Sequence, residues 1–280
     1  MSEAATLIVT RDVFVICGLA LCLAFGMYAL LRTSQDQHWN LQGNVLVRPY
    51  NGMDLTVALL ILSVMIWGGL QGSSGEAPKV ESMPDSVSAV GLFFSAVILL
   101  FLALLLLGYI TLYRGLNPAE MFGLRQMSMG RAFGIAVLMI VVVVLCMASA
   151  LYVITSLGLS WKGLDDTPQD TVKIFKNSGS VVSKVLLGVL AVVVAPLTEE
   201  IFFRGFLYSV IKRFTDRWFA AVFSALVFAA VHQHVGSLVP LFLLAIGFAL
   251  AYEATGCLLV PVFMHALFNA GNLLALTLQG

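Results

Sequence analysis

Two adjacent glutamates and an arginine interrupt a long apolar stretch of the chain, as Glu199, Glu200 and Arg204. Placing one charged side chain at the centre of a bilayer costs about 2.5–3.5 kcal/mol on insertion scales. Three such groups approach the whole stability of an ordinary domain, which is roughly 5–15 kcal/mol. A chain retains charges in such a stretch when protein groups or water satisfy them, so these residues predict a functional site.

Two further polar groupings follow in the last hundred residues. Phe228 begins the run Phe-Ala-Ala-Val-His, which ends at His232, and the run His-Ala-Leu-Phe-Asn extends from His265 to Asn269. The chain has only four histidines, and these groupings hold two of them. The depths of these residues along their helices allow a glutamate, two histidines and an asparagine to form one cluster inside the bundle.

Helical spacing predicts how these side chains are oriented. Residues four apart lie on one face of a helix, so Glu200 can pair with Arg204, and His265 shares a face with Asn269. Glu199 is rotated about 100° from its neighbour and is left to face another group. Pro196 removes one backbone hydrogen bond just before the glutamates, which predicts a kink that opens the helix toward the bundle interior.

The three groupings resemble the motifs of the CPBP family of intramembrane proteases. This family includes the CAAX prenyl endopeptidases and bacterial bacteriocin-processing and immunity relatives. The motifs are Glu-Glu-x-x-x-Arg, Phe-x-x-x-His and His-x-x-x-Asn, and all three occur here in that order. The resemblance covers about residues 183–275.

The resemblance implies an intramembrane endopeptidase and a role for each matching residue. Glu199 and His232 would activate a water molecule, and His265 and Asn269 would donate hydrogen bonds to the tetrahedral oxyanion. Glu200 and Arg204 would support the first of these helices. The implied substrate is a membrane-associated protein or peptide, with a CAAX-type or prenylated sequence or a leader peptide as the options.

A zinc enzyme is the competing mechanism. Glu199, His232 and His265 could ligate Zn²⁺ and leave a fourth position for water, as in other catalytic zinc sites. The chain lacks a His-Glu-x-x-His helix, in which both histidines would project from one face. We therefore favour a glutamate-dependent mechanism without a cofactor, and keep Zn²⁺ as the alternative.

Composition predicts the fold that positions these residues. The chain has 280 residues, of which 60% are hydrophobic and only 11% charged, and its mean hydropathy is +0.98. Soluble domains carry about 25% charged residues. These values predict an all-α, polytopic transmembrane helical bundle. The zero net charge gives no indication of a nucleic-acid partner.

Hydropathy predicts about eight transmembrane helices. Their predicted ranges are 13–31, 54–70, 87–112, 132–155, 181–211, 218–234, 238–252 and 258–278. Because the seventh range is short, totals of seven and nine helices are the alternatives. Between the third and fourth helices, Asn117 is expected to cap a short helix that begins at Pro118 and lies along the membrane surface.

The helices divide into two predicted parts. Residues 1–131 form N-terminal transmembrane helices and the interfacial segment, and residues 132–280 form the catalytic helical bundle. We expect a multi-pass protein of a lipid bilayer, specifically the bacterial plasma membrane. Glu253, near a predicted helix end, is expected to be solvated.

A non-enzymatic membrane protein of the same fold is the alternative function. It would act as a transporter, a scaffold or a bacteriocin-immunity factor. Intramembrane acids and histidines also serve as proton relays, so the residue types alone leave this alternative open.

Overall fold

The computed structural model describes residues 43–72, 85–157, 180–232 and 234–279. The described residues are helical and contain no β-strand, so the protein is an all-α bundle. The predicted helix at 13–31 lies outside the described residues. Five described helices are long and apolar enough to cross a bilayer, which makes this a multi-pass integral membrane protein. The predicted count of eight is not confirmed.

Eight helices are described, and seven of them correspond to the remaining predicted ranges. They are α1 (Gly52–Gly72), α2 (Asp85–Gly108), α3 (Pro118–Met121), α4 (Met129–Ser156), α5 (Val181–Phe214), α6 (Arg217–Val231), α7 (Val235–Thr255) and α8 (Leu259–Gln279). The seventh predicted range proves longer than expected, because α7 continues through Pro240 as one helix.

Local capping determines where several helices begin. The Asn117 side chain accepts a hydrogen bond from the Ala119 N–H, and Pro118 occupies the first turn of α3, as predicted. The Asp216 carboxylate accepts from the N–H groups of Trp218 and Phe219 at the start of α6. These caps supply acceptors for backbone donors that a helix start leaves unpaired.

Among the described helices, α5 has the most irregular backbone, and it is well buried just after its glutamates. It contains two π-helical segments, Leu190–Val194 and Ile201–Tyr208, on either side of the α-helical turn Ala195–Glu200. All but one residue of the second π segment are buried. By contrast, α2 and α4 expose many leucine, valine and phenylalanine side chains, as expected for surfaces that face lipid.

Helices α6, α7 and α8 enclose α5 together with part of α2. Helix α6 packs most extensively against α7, and α8 packs against both α4 and the first π segment of α5. The turn between α7 and α8 contains Gly256 at φ +63°, a left-handed conformation that suits glycine. This arrangement brings the first part of α5 next to the middle of α8.

The segment 43–51 packs on the end of the bundle where α5 ends and α6 begins. Its Asn44 amide donates to the Ala254 carbonyl at 2.8 Å, and its Tyr50 hydroxyl donates to the Gly205 carbonyl at 2.7 Å. Burial raises the pKa of Tyr50 well above its usual value, so the phenol stays neutral and remains a donor. The segment thereby satisfies a carbonyl in the second π segment of α5.

Candidate functional site

The candidate site lies between the turn Ala195–Glu200 of α5 and the middle of α8. The Thr198 hydroxyl donates to the Val194 carbonyl at 2.9 Å and to the Ala195 carbonyl at 3.1 Å. The Thr198 side chain thus bonds back to the helical turn that contains Pro196. The same turn carries Glu199 and Glu200.

Glu200 connects Arg204 to His265. Its Oε1 accepts a hydrogen bond from Arg204 Nη1 at 2.8 Å and another from His265 Nδ1 at 2.9 Å. Glu200 and Arg204 are 0% and 1% exposed. The predicted i,i+4 pair therefore forms, and it is fully desolvated. The same carboxylate oxygen also orients His265, which the sequence did not predict.

Arg204 is further held by α6 and α7. Its Nη2 donates to the Ala245 carbonyl at 3.2 Å. Its guanidinium lies 4.6 Å from the ring centroid of Phe228 and 5.2 Å from that of Phe248. Aromatic faces attract cations, most strongly where water is excluded. Phe228 belongs to one of the three sequence motifs but had no predicted role. For Phe248, the sequence indicated only a hydrophobic residue.

His265 faces both glutamates, one from each ring nitrogen. Because an ionised carboxylate can only accept, the hydrogen bond to Glu200 places a hydrogen on Nδ1. Nε2 then points toward Glu199, with 4.0 Å between it and Glu199 Oε2. This distance exceeds that of a direct hydrogen bond. It is short enough for one small ligand atom to contact both groups.

The site also contains polar atoms without a partner. Among the described residues, four buried side-chain polar atoms form no hydrogen bond, and three of them are Glu199 Oε2, Glu200 Oε2 and Arg204 Nε. The fourth is the Tyr252 hydroxyl. Because buried polar atoms are nearly always paired, such a concentration in one cluster indicates a binding or catalytic site.

His232 is joined to this cluster through the ring of Phe228. The two ring centroids lie 4.7 Å apart, and the Phe228 ring lies 5.8 Å from that of His265. His232 Nδ1 is 2.7 Å from the Phe228 carbonyl, which only accepts, so Nδ1 carries the hydrogen. In the neutral ring, Nε2 is then an acceptor that can take a proton.

The hydrogen bond of Asn269 does not lead to the glutamates. Its Nδ2 donates to the Ala191 carbonyl in the first π segment of α5, at 2.8 Å. The resemblance implies a donor to the oxyanion, and this bond uses one of the two amide hydrogens. Thus Glu199, Glu200, Arg204 and His265 form one cluster, with His232 and Asn269 on its border.

The three proposed zinc ligands do not come together as a set of metal ligands. Across the described residues, no three histidine, cysteine, aspartate or glutamate side chains lie close enough to hold a metal ion. His265 also directs Nδ1 at Glu200 and approaches Glu199 only through Nε2. We therefore derive no step through Zn²⁺, and the zinc alternative stays a prediction that a chelation experiment can test.

A second buried ionic cluster was missed by the sequence. Lys212 Nζ lies 2.8 Å from both carboxylate oxygens of Glu253, and the Tyr208 hydroxyl donates to Glu253 Oε2 at 2.7 Å. Glu253 is 9% exposed, so the expectation that it is solvated was wrong. The two ionic partners are 41 positions apart, which no local spacing rule could detect.

Comparison with known proteins agrees with the motifs. A family model described as type II CAAX prenyl endopeptidase Rce1-like matches residues 181–271. Residues 181–271 are therefore similar to the Rce1-like family. The matched range agrees closely with the 183–275 expected from the motifs. All six predicted site residues lie within it.

A curated relative matches over a similar length. The protein "Putative membrane peptidase YdiL" of Bacillus subtilis (strain 168) is 30% identical over 84 residues. The alignment covers 30% of this chain and 34% of that protein, so it spans about a third of the relative's length. No solved structure matches this chain.

Proposed function

We propose that this protein is an intramembrane endopeptidase that hydrolyses a peptide bond in a membrane-associated protein or peptide. The observation that carries the proposal is the position of Glu199, whose unpartnered Oε2 lies 4.0 Å from His265 Nε2 in a buried cluster. The names of the Rce1-like family and of the Bacillus relative support the same class of reaction.

Glu199 is the proposed general base. Its carboxylate takes a proton from a water molecule, the water oxygen adds to the substrate carbonyl carbon, and the carbonyl oxygen becomes an oxyanion. When the carbon–nitrogen bond breaks, Glu199 returns the proton to the leaving amine. The reaction requires no reactant other than the water molecule and the peptide. His232 Nε2 is proposed to accept a hydrogen bond from the same water.

His265 is the proposed donor to the oxyanion. The ionised Glu199 and Glu200 carry two negative charges, and Arg204 neutralises one of them. A proton on His265 Nε2 would balance the other charge and would also give that nitrogen a hydrogen to donate toward the substrate. Glu200 serves as the positioning residue in this scheme, because it holds Nδ1 and so orients Nε2.

We propose two substrate classes, and the Rce1-like match supports the first of them. CAAX-type or prenylated sequences are one proposed class, and leader peptides are the other. In both cases the substrate must bring a peptide bond to the depth of Glu199, so a lipid-attached or membrane-inserted peptide suits the site.

A comparison of membrane proteomes tests the proposal without a known substrate. Cells would express the wild-type protein, Glu199→Gln or Glu120→Gln, and new N-termini in the membrane fraction would be identified by mass spectrometry. Glu120 is an exposed acid at α3, far along the chain from the site, so its variant is a matched control. We expect at least one cleaved species that appears with wild type and Glu120→Gln and disappears with Glu199→Gln.

The cleavage reaction also provides an assay for whether hydrolysis depends on a metal ion. Purified protein would be treated with a chelator and assayed on the peptide that the proteome comparison identifies. Retained cleavage supports the glutamate mechanism, and loss that Zn²⁺ restores supports the zinc alternative. If wild type and Glu199→Gln produce identical membrane N-termini, the endopeptidase proposal is wrong and the non-enzymatic alternative is favoured.

A further inference from the structure

Pro196 leaves one backbone carbonyl of α5 without a helical donor. In an α-helical register the Ala191 carbonyl would accept from the N–H of residue 195, and in a π-helical register from that of residue 196. The Ala195 N–H is instead directed to the Leu190 carbonyl. Residue 196 is proline, which has no N–H. An unpaired carbonyl in an apolar environment is costly, so this position needs a donor from elsewhere.

Asn269 supplies that donor from the neighbouring helix. Its Nδ2 lies 2.8 Å from the Ala191 oxygen. The bond connects α8 to α5 next to the π segment Leu190–Val194. A second bond connects the same two helices, from His265 Nδ1 to Glu200 Oε1 at 2.9 Å. His265 and Asn269 are one helical turn apart, so α8 is attached to α5 at two successive points of one face.

We propose that Asn269 is a positioning residue, which binds the carbonyl that Pro196 leaves unpaired and thereby sets the position of His265 relative to Glu199. This role differs from donation to the oxyanion, and its catalytic consequence rests on the proposed endopeptidase function. The structural part does not, because Asn269 binds the Ala191 carbonyl whether or not the protein cleaves a peptide.

A double-mutant cycle separates the two roles. Pro196→Ala supplies an N–H at residue 196, which can reach the Ala191 carbonyl and make the Asn269 donor unnecessary. Asn269→Leu removes the donor while it keeps the same number and branching of side-chain heavy atoms. Wild type, both single variants and the double variant would be purified in detergent, and their melting temperature and their cleavage of the identified peptide would be measured.

The positioning role predicts coupling between the two residues. In the wild-type background, Asn269→Leu should lower the melting temperature and lower kcat by about 10- to 100-fold with little change in KM, because small displacements of reacting groups are costly. In the Pro196→Ala background both losses should shrink to near zero. An oxyanion donor predicts the opposite result, namely the same fold-loss of kcat in both backgrounds and no coupling in melting temperature.

Thr277→Val is the matched control. The Thr277 hydroxyl lies on the same helix and donates only within it, to the Leu274 carbonyl at 2.7 Å. This variant should leave the melting temperature and kcat unchanged.

Hydrogen–deuterium exchange keeps the proposal testable if Pro196→Ala does not fold. Loss of the Asn269 bond should speed amide exchange in residues 186–195 of the Asn269→Leu single variant, relative to Thr277→Val. Unchanged exchange in that range would overturn the proposal. Because this measurement and the melting temperature need no substrate, failure of the positioning role is distinguishable from failure of the endopeptidase function, which Glu199→Gln reports.

Discussion

Two buried ionic clusters lie in the same bundle, and they differ in how completely their polar atoms are paired. The Lys212–Glu253–Tyr208 cluster is closed, because both carboxylate oxygens of Glu253 and the two donors facing them make hydrogen bonds. The Glu199–Glu200–Arg204–His265 cluster leaves three buried polar atoms without a partner. A closed network stabilises the fold, whereas an open one retains atoms that can bind a substrate.

The clusters also differ in what surrounds them. The backbone of Gly43 lies directly on the Glu253 carboxylate, so that a Cβ on residue 43 would overlap Glu253 Oε1. The open cluster is lined by the rings of Phe228 and Phe248 and by the imidazoles of His232 and His265. We therefore expect variants of the open cluster to lose activity, and variants of the closed cluster to lose stability.

The largest expected effect is on hydrolysis by Glu199→Gln. Removal of a general base lowers rates by about 10²–10⁴-fold. The variant should fold as well as the parent, because it replaces a carboxylate that has an unpartnered buried oxygen. Peptide cleavage and thermal unfolding would be measured on the same preparation. The roles of the two clusters would be reversed if Glu199→Gln strongly lowered the stability and left the cleavage rate per folded molecule unchanged.

Lys212→Met should give the largest loss of stability. It leaves the buried Glu253 carboxylate without its cation, and breaking a buried ion pair costs about 3–5 kcal/mol. Chemical denaturation in detergent would measure the change. The double variant with Glu253→Gln should recover part of the loss, because it removes the uncompensated charge. If the double variant is as unstable as the single one, the pair itself is not the cause.

Gly43→Ala should be destabilising to a smaller extent. Gly43 has φ +100°, where side chains other than glycine are strained, and the added methyl group would displace Glu253. We expect a loss of about 1–3 kcal/mol in the free energy of unfolding. Gly52→Ala is the control, since a Cβ there meets no atom within 4 Å. Equal stability of the two variants would show that segment 43–51 does not bear on the closed cluster.

Tyr50→Phe should have the smallest effect of the four. It removes the hydroxyl that donates to the Gly205 carbonyl in the second π segment of α5. The expected loss is about 0.5–1.5 kcal/mol, the net contribution of a typical intramolecular hydrogen bond. Tyr113→Phe removes a hydroxyl from a tyrosine that is 66% exposed and should be neutral. A neutral Tyr50→Phe would mean that this π segment does not depend on segment 43–51.

The sequence predicted the open cluster better than the closed one for a physical reason. Glu200 with Arg204, and His265 with Asn269, are i,i+4 pairs, so helical periodicity alone places each pair on one face. The charges also stood out because their apolar surroundings make them costly. The link from His265 to Glu200 crosses 65 positions and depends on helix packing. Spacing rules within one helix could not reveal it.

The irregular backbone was only partly predictable. Pro196 predicted a break in helical hydrogen bonding, and a π segment does end two residues before it. That Asn269 binds the Ala191 carbonyl could not be predicted, because it depends on how α8 sits against α5. The helix ranges were predictable from hydropathy because each apolar run is bounded by polar or capping residues, such as Asp216 before α6.

The most direct test of the account compares Glu199→Gln with Glu253→Gln on matched purified preparations. Both replace an intramembrane carboxylate by its amide, one in the open cluster and one in the closed cluster. The account predicts that Glu199→Gln retains the parent melting temperature and loses cleavage, while Glu253→Gln melts lower and cleaves normally per folded molecule. Cleavage by Glu199→Gln at the parent rate would contradict the assignment of Glu199 as the base.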